Sequence, residues 1–229
     1  MSRRKGLLAA ALTVAAIAVA ASATALWIRL SQQLVEILGR PSARAQVQSS
    51  TEIGGPFTLV DDTVAQVTAT ALRGKPTVMY FGYTFCPEAC PTTLTDLTQW
   101  MQILGPDADR LNYVFVTLDP ERDTPKVMHD YVSAFDPRIR GFTGTSDQIA
   151  KVASEYRVYY KRISTSDGGY VMDHTSILYM MDADGKYVGL IGYQEKTTSA
   201  VAKLKKLALA SLLSVRSIHA ITAWSFSRL

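Results

Sequence analysis

Residues 77–104 read TVMYFGYTFCPEACPTTLTDLTQWMQIL. Thr77–Tyr83 is a near-continuous apolar and β-branched run, the pattern of a central strand buried on both faces. Further on, Leu94, Leu97, Met101 and Leu104 recur at helical spacing, and Pro91 suits a first helical turn. Two cysteines, Cys86 and Cys90, fall where strand hands over to helix.

The same alternation continues outward. Asn112–Leu118 predicts a second buried strand, and Thr124-Pro125 an N-cap and first helical residue for a helix to about Phe135. A further helix is expected over Ser146–Tyr156, opened by Ser146 or Asp147. Arg157–Ile163 alternates like a strand, Asp167-Gly168-Gly169 turns the chain, and Thr175–Met181 and Lys186–Ile191 form a hairpin about Asp184-Gly185. From Thr197 the pattern is helical again. Upstream, Phe57–Val60 and Thr63–Thr68 read as short strands around Asp61-Asp62. Strands alternating with helices predict an α/β fold, a central mixed sheet flanked by helices on both faces.

The charge is unevenly distributed. The chain of 229 residues carries a formal +4, yet residues 45–195 hold 12 basic against 19 acidic groups, a net of −7. The positive charge sits at the ends, which excludes a duplex-binding domain, since that needs its cations on the folded part. A hydrophobic content of 48% against 19% charged residues excludes a disordered chain.

From Gly6 to Ile28 run 23 residues without a charge. As a helix these reach ~34 Å, enough for a hydrocarbon core of ~30 Å. Arg3, Arg4 and Lys5 precede them, so the N-terminus should stay in the cytoplasm and the rest lie outside. Residues 1–30 thus read as an N-terminal transmembrane anchor. The competing reading is a cleaved signal peptide, for which Ala21-Ser22-Ala23 and Ala23-Thr24-Ala25 are suitable small-residue sites. Either way the domain is expected on the periplasmic side of a bacterial inner membrane. Residues 31–55 read as a tether, 56–206 as the domain and 207–229 as an atypical apolar and basic tail. That tail reads as an extension of the last helix in preference to a membrane-surface segment.

Cys86 and Cys90 are the only cysteines. Outside the cytoplasm a disulfide between them is allowed, and a helix N-terminus favours the thiolate needed for redox or metal work. Redox catalysis, zinc and copper are the three readings. Structural zinc wants four protein ligands. Of the histidines, His129 lies within a predicted helix and His219 in the tail, whereas His174 immediately precedes a predicted strand and could reach the Cys86 loop across one end of the sheet. Two thiolates and an imidazole suit Cu(I) and tolerate Cu(II).

These residues resemble a family. TVMYFGYTFCPEACPTTL (77–94), TLDPERDTP (117–125) and DHTSILYMMDADGKY (173–187) look like the Sco/SenC family of membrane-anchored copper chaperones. The resemblance covers residues 50–205 or so. It implies a thioredoxin-like fold, copper held by Cys86, Cys90 and His174, and delivery of copper to, or reduction of the cysteines of, the dinuclear copper site of cytochrome c oxidase. The implied partners are a copper-receiving oxidase subunit and, upstream, a copper donor or thiol reductant.

Asp119–Asp123 ends a predicted strand on the cysteine side and reads as a helix-capping loop or as electrostatic support for the site. Asp173 is placed to orient His174. Tyr80, Phe81, Tyr83 and Phe85 read as core and pocket wall. The rival function is a periplasmic thiol–disulfide reductase using Cys86 and Cys90, against which the three-residue gap counts, because redox pairs commonly have two. A peroxide-reducing or redox-sensing protein is the weaker rival.

Overall fold

All six residues of Thr77–Gly82, here β3, are buried. The strand alternates between two cores: Val78 and Tyr80 face one, Met79 and Phe81 the other. The computed structural model describes residues 26–30, 32 and 52–210. The chain divides into Met1–Thr51 and Glu52–Leu229. Apart from residues 26–30, the predicted anchor lies outside the described residues, as do most of the tether and residues 211–229 of the tail. No helix among the described residues is long and apolar enough to cross a membrane.

The second unit runs β1 (Thr58–Asp61), β2 (Gln66–Thr68), β3, α1 (Ala89–Leu104), β4 (Asn112–Thr117), α2 (Pro125–Ser133), β5 (Ile139–Thr143), α3 (Ser146–Glu155), β6 (Tyr160–Ser164), β7 (Tyr170–His174), β8 (Ile177–Met181) and β9 (Tyr187–Gly192). A last helix, α4, covers residues 197–210. Seven strands form one mixed sheet in the order β2-β1-β5-β4-β3-β8-β9, and β6 and β7 form a separate antiparallel pair. Helices α1, α2 and α4 pack on one face through residues such as Leu97, Trp100, Met128 and Leu204. Helix α3 packs on the other through Ile149, Val152 and Ala153.

This topology assembles one functional edge. Strands β3 and β4 are parallel, so the loops after Gly82 and Thr117 leave the sheet on the same side. Strand β8 is antiparallel to β3, with Leu178 opposite Tyr80, so the chain just before β8 arrives at that edge too.

The structure differs from the sequence expectation in several places. Strand β5, between α2 and α3, is additional. Helix α3 is opened by Thr145, not Ser146 or Asp147; its side chain accepts from the Gln148 N–H, and Gln148 returns the bond in a capping box. Strand β7 is additional too, and His174 ends it, paired with Tyr160.

Candidate metal centre

The two cysteines differ in burial because only one belongs to the helix. Cys90 is in the first turn of α1 and is wholly buried against β3, while Cys86 in the preceding loop is half-buried. Both are free thiols. The loop folds back so that the Cys90 N–H donates to Cys86 Sγ at 3.3 Å. The sulfur thereby takes one of the N–H groups that a helix start leaves without a backbone partner. Close packing makes this fit: a Cβ on Gly82 would lie 2.7 Å from Cys90 Sγ.

His174 closes the group. Its Nε2 is 3.6 Å from Cys90 Sγ. Its Nδ1 donates to the Thr175 carbonyl at 3.1 Å, which directs Nε2 at the sulfurs. The orienting group is therefore this backbone oxygen. Asp173 is exposed, since alternation along β7 turns it away from the site. The edges of Tyr80 and Tyr83 flank the imidazole at centroid distances of 6.3 and 5.8 Å. Together, the donor atoms of Cys86, Cys90 and His174 lie within 4.8 Å of one another. Cys86 and His174 line a cleft of about 440 Å³ walled by Tyr83, Pro87, Met172, Ser176 and Tyr193, with Cys90 buried behind them.

The thiols share one proton unequally. Hydrogen bonds from the Cys90 thiol and His174, with the N–H groups of Cys90 and Glu88, outweigh partial burial and hold Cys86 at about 4. Burial, then the bond to and charge of Cys86, push Cys90 far up. The resting pair is one thiolate and one thiol, and binding a metal through both sulfurs expels a single proton. Two sulfurs and one imidazole within reach of a common point fit a soft ion such as Cu(I).

The loop Asp119–Asp123 supports the site, while the cap of α2 is the next residue, Thr124, whose side chain accepts from the Val127 N–H. Asp123 is completely buried and accepts from Thr84 N at 3.0 Å, Thr84 Oγ1 at 2.6 Å and Thr117 Oγ1 at 2.6 Å, which ties the approach to Cys86 onto the end of β4. Burial outweighs these bonds and raises its carboxyl pKa. Asp119 accepts from the Arg122 guanidinium and, at 2.9 Å, from the Tyr170 hydroxyl. The guanidinium lies 4.7 Å from the Phe85 ring centre and 3.8 Å from that of Tyr170, bridging the cysteine loop and the β6–β7 hairpin. Tyr80, Phe81 and Tyr83 are buried as expected, but Phe85 is 58% exposed and serves as a stacking surface for Arg122.

The SCO1/SenC family profile matches residues 45–209. The chain belongs to the SCO1/SenC family. A SCO2-like protein of Rickettsia felis is 38% identical over 143 residues, 62% of this chain and 70% of the relative. ScoI of Bradyrhizobium japonicum, solved with copper bound, is 46% identical with a TM-score of 0.64, covering 68% of this chain and 99% of that one. Copper-bound yeast Sco1 is 35% identical with a TM-score of 0.63, covering 68% and 87%. The mixed sheet flanked by helices matches the thioredoxin-like architecture of these Sco structures.

In this SCO1/SenC chain the structure brings together all three residues singled out as ligands, and it keeps His129 apart, on α2 beside Asp62. Sequence reading missed three contributors. Thr84 carried no signal beyond its neighbours. Gly82 had one, because a glycine inside a buried strand often marks a close backbone approach. Met172 shares with His174 the inward side of β7, where alternation would have placed it had β7 been recognised.

Proposed function

We propose that this chain binds copper through Cys86, Cys90 and His174 and delivers it to the dinuclear copper site of cytochrome c oxidase. The observation that carries the reading is the convergence of two sulfurs and one imidazole nitrogen within 4.8 Å at the wall of an open cleft. Family membership supports the oxidase as destination. The uncharged run Gly6–Ile28 behind Arg3, Arg4 and Lys5 supports an anchor in the bacterial inner membrane with the domain on the periplasmic side. Copper is cargo here. A partner thiolate entering the cleft reaches Cys86, the more accessible sulfur, and displaces it while Cys90 and His174 keep the ion coordinated.

Copper titration of the wild-type protein, of His174→Ala and of protein with alkylated thiols tests this. One equivalent is expected to bind tightly to the first and weakly to the others. Equal tight binding by all three would refute the ligand set. A second reading, reduction of a partner's disulfide, draws on the asymmetry of the thiols: Cys86 faces the cleft as a thiolate, and Cys90 waits behind it to resolve a mixed disulfide. It predicts that Cys90→Ser traps a mixed disulfide on Cys86, and no trapped species would count against it.

A further inference from the structure

Cys90 is completely buried, and a sulfur in that position gains or loses electron density according to the few groups that touch it. One of them is the phenol of Tyr80, whose Oη donates to Cys90 Sγ at 3.7 Å. The contact follows from the strand. Alternation along β3 sends Tyr80 and Gly82 to the face covered by α1, and the first turn of that helix lays Cys90 across both. Tyr80 is 1% exposed, so no water competes for its proton.

We infer that Tyr80 is a positioning residue whose hydroxyl, through its hydrogen bond to Cys90 Sγ, stabilises electron density on that sulfur and so tunes both the thiol–disulfide balance of the pair and the bonding of copper to it. The inference rests, for its copper half only, on the copper reading above. The chemistry is general: hydrogen bonds to a ligating sulfur lower its donor strength and shift the potential of the metal it holds. They also favour the reduced pair, because a thiol or thiolate accepts a hydrogen bond better than a disulfide sulfur does.

A matched comparison is available in the same core. Tyr131 packs beyond Phe115 from Tyr80, with ring centres at 5.9 Å for Tyr80–Phe115 and 5.6 Å for Phe115–Tyr131. Its hydroxyl is enclosed without a hydrogen-bond partner. Tyr80→Phe and Tyr131→Phe therefore remove the same atom from neighbouring buried sites, and only the first removes a bond to sulfur.

Two measurements test the inference, one of them without metal. The metal-free protein is equilibrated with reduced and oxidised glutathione: the Cys86–Cys90 dithiol gives two electrons and two protons to oxidised glutathione, yielding the internal disulfide and two molecules of glutathione. Loss of one hydrogen bond to the reduced form should raise the equilibrium constant for disulfide formation about three- to tenfold in Tyr80→Phe and leave it unchanged in Tyr131→Phe. On the Cu(II)-loaded protein, the sulfur-to-copper charge-transfer band should move to longer wavelength in Tyr80→Phe alone. An unchanged glutathione equilibrium in Tyr80→Phe, or an equal change in both variants, overturns the inference. Failure of the wild-type protein to bind copper would sink the copper reading, and the glutathione arm would still decide the role of Tyr80.

Discussion

Replacing Asp123 by alanine, and separately by asparagine, asks whether the site needs a charge at this position or only a set of acceptors. The carboxylate is completely buried and takes three donors: the Thr84 N–H and the Thr117 hydroxyl on Oδ2, and the Thr84 hydroxyl on Oδ1. In the alanine variant the two hydroxyls can turn, but the Thr84 N–H cannot. An orphaned buried donor costs about 1–3 kcal/mol, and each lost bond to a charged acceptor about 1.5–3 kcal/mol. Against this, the buried charge no longer has to be desolvated. Its pKa is raised by burial, so the ionised form is the less favoured one inside the fold. The sign follows: stability from this group is full below its ordinary pKa and is lost as pH rises through the raised value, so at neutral pH the carboxylate is retained at a cost. We expect Asp123→Ala to lose about 3 kcal/mol net, seen as a fall of roughly 6–12 °C in Tm for a unit of this size. Copper affinity should fall about 10- to 100-fold, because Thr84 positions the loop that carries Cys86.

Asparagine behaves differently by the same geometry. Its Oδ1 can take the two donors now on Oδ2, and its Nδ2 can donate to a rotated Thr84 hydroxyl. Asp123→Asn should therefore lie within about 1 kcal/mol of wild type and hold copper nearly as well. Calorimetry and competition with a copper chelator measure both quantities. Equal losses in the two variants would show that the charge matters and not the acceptor pattern. A loss below about 1 kcal/mol in Asp123→Ala would show that Thr84 needs no anchor.

Other outcomes follow from the same contacts. Alkylation of Cys86 should vary little between about pH 6 and pH 9 in the wild type, because its thiol titrates at about 4. In Cys90→Ala the midpoint should rise, since the Cys90 hydrogen bond is the largest stabiliser of that thiolate. The stability linked to Cys86 should be full above 9.0, the ordinary thiol value, and vanish as pH falls through about 4, which acid titration of the metal-free protein monitored by circular dichroism can follow. Gly82→Ala puts a methyl 2.7 Å from both Cys90 Sγ and Phe115 Cε2. It should cost about 1–3 kcal/mol and weaken copper binding beyond that loss of fold. Arg122→Lys should not rescue Arg122→Met in copper affinity, because an ammonium cannot lie flat between Phe85 and Tyr170 while pairing with Asp119.

What the sequence made legible follows the strength of its patterns. Strand β3 announced itself because both of its faces are buried, so every position is apolar or small, and the junction holding Cys86 and Cys90 was located with it. Strand β5 stayed hidden because its residues Ile139–Thr143 include Arg140, which is tolerated in the sheet by reaching sideways to Asp61 Oδ2 at 2.7 Å. Strand β7 hid for another reason. It pairs only with β6, outside the main sheet, and Met172 is its one fully buried residue, so Tyr170–His174 lacks an apolar run. The placement of His174 survived that error because it depends on β8, whose antiparallel pairing with β3 delivers the preceding residues to the cysteine edge whatever conformation they adopt. The support for the site was less accessible still. Asp173 adjoins His174 in sequence yet is turned away by strand alternation, and a backbone carbonyl does the orienting, which no side-chain pattern can reveal. Tyr80 and Gly82 lie inside an apolar run, where one contributes a single hydroxyl and the other a missing methyl. Periodicity treats both as core, so their bearing on Cys90 becomes visible only once the helix is laid across the strand.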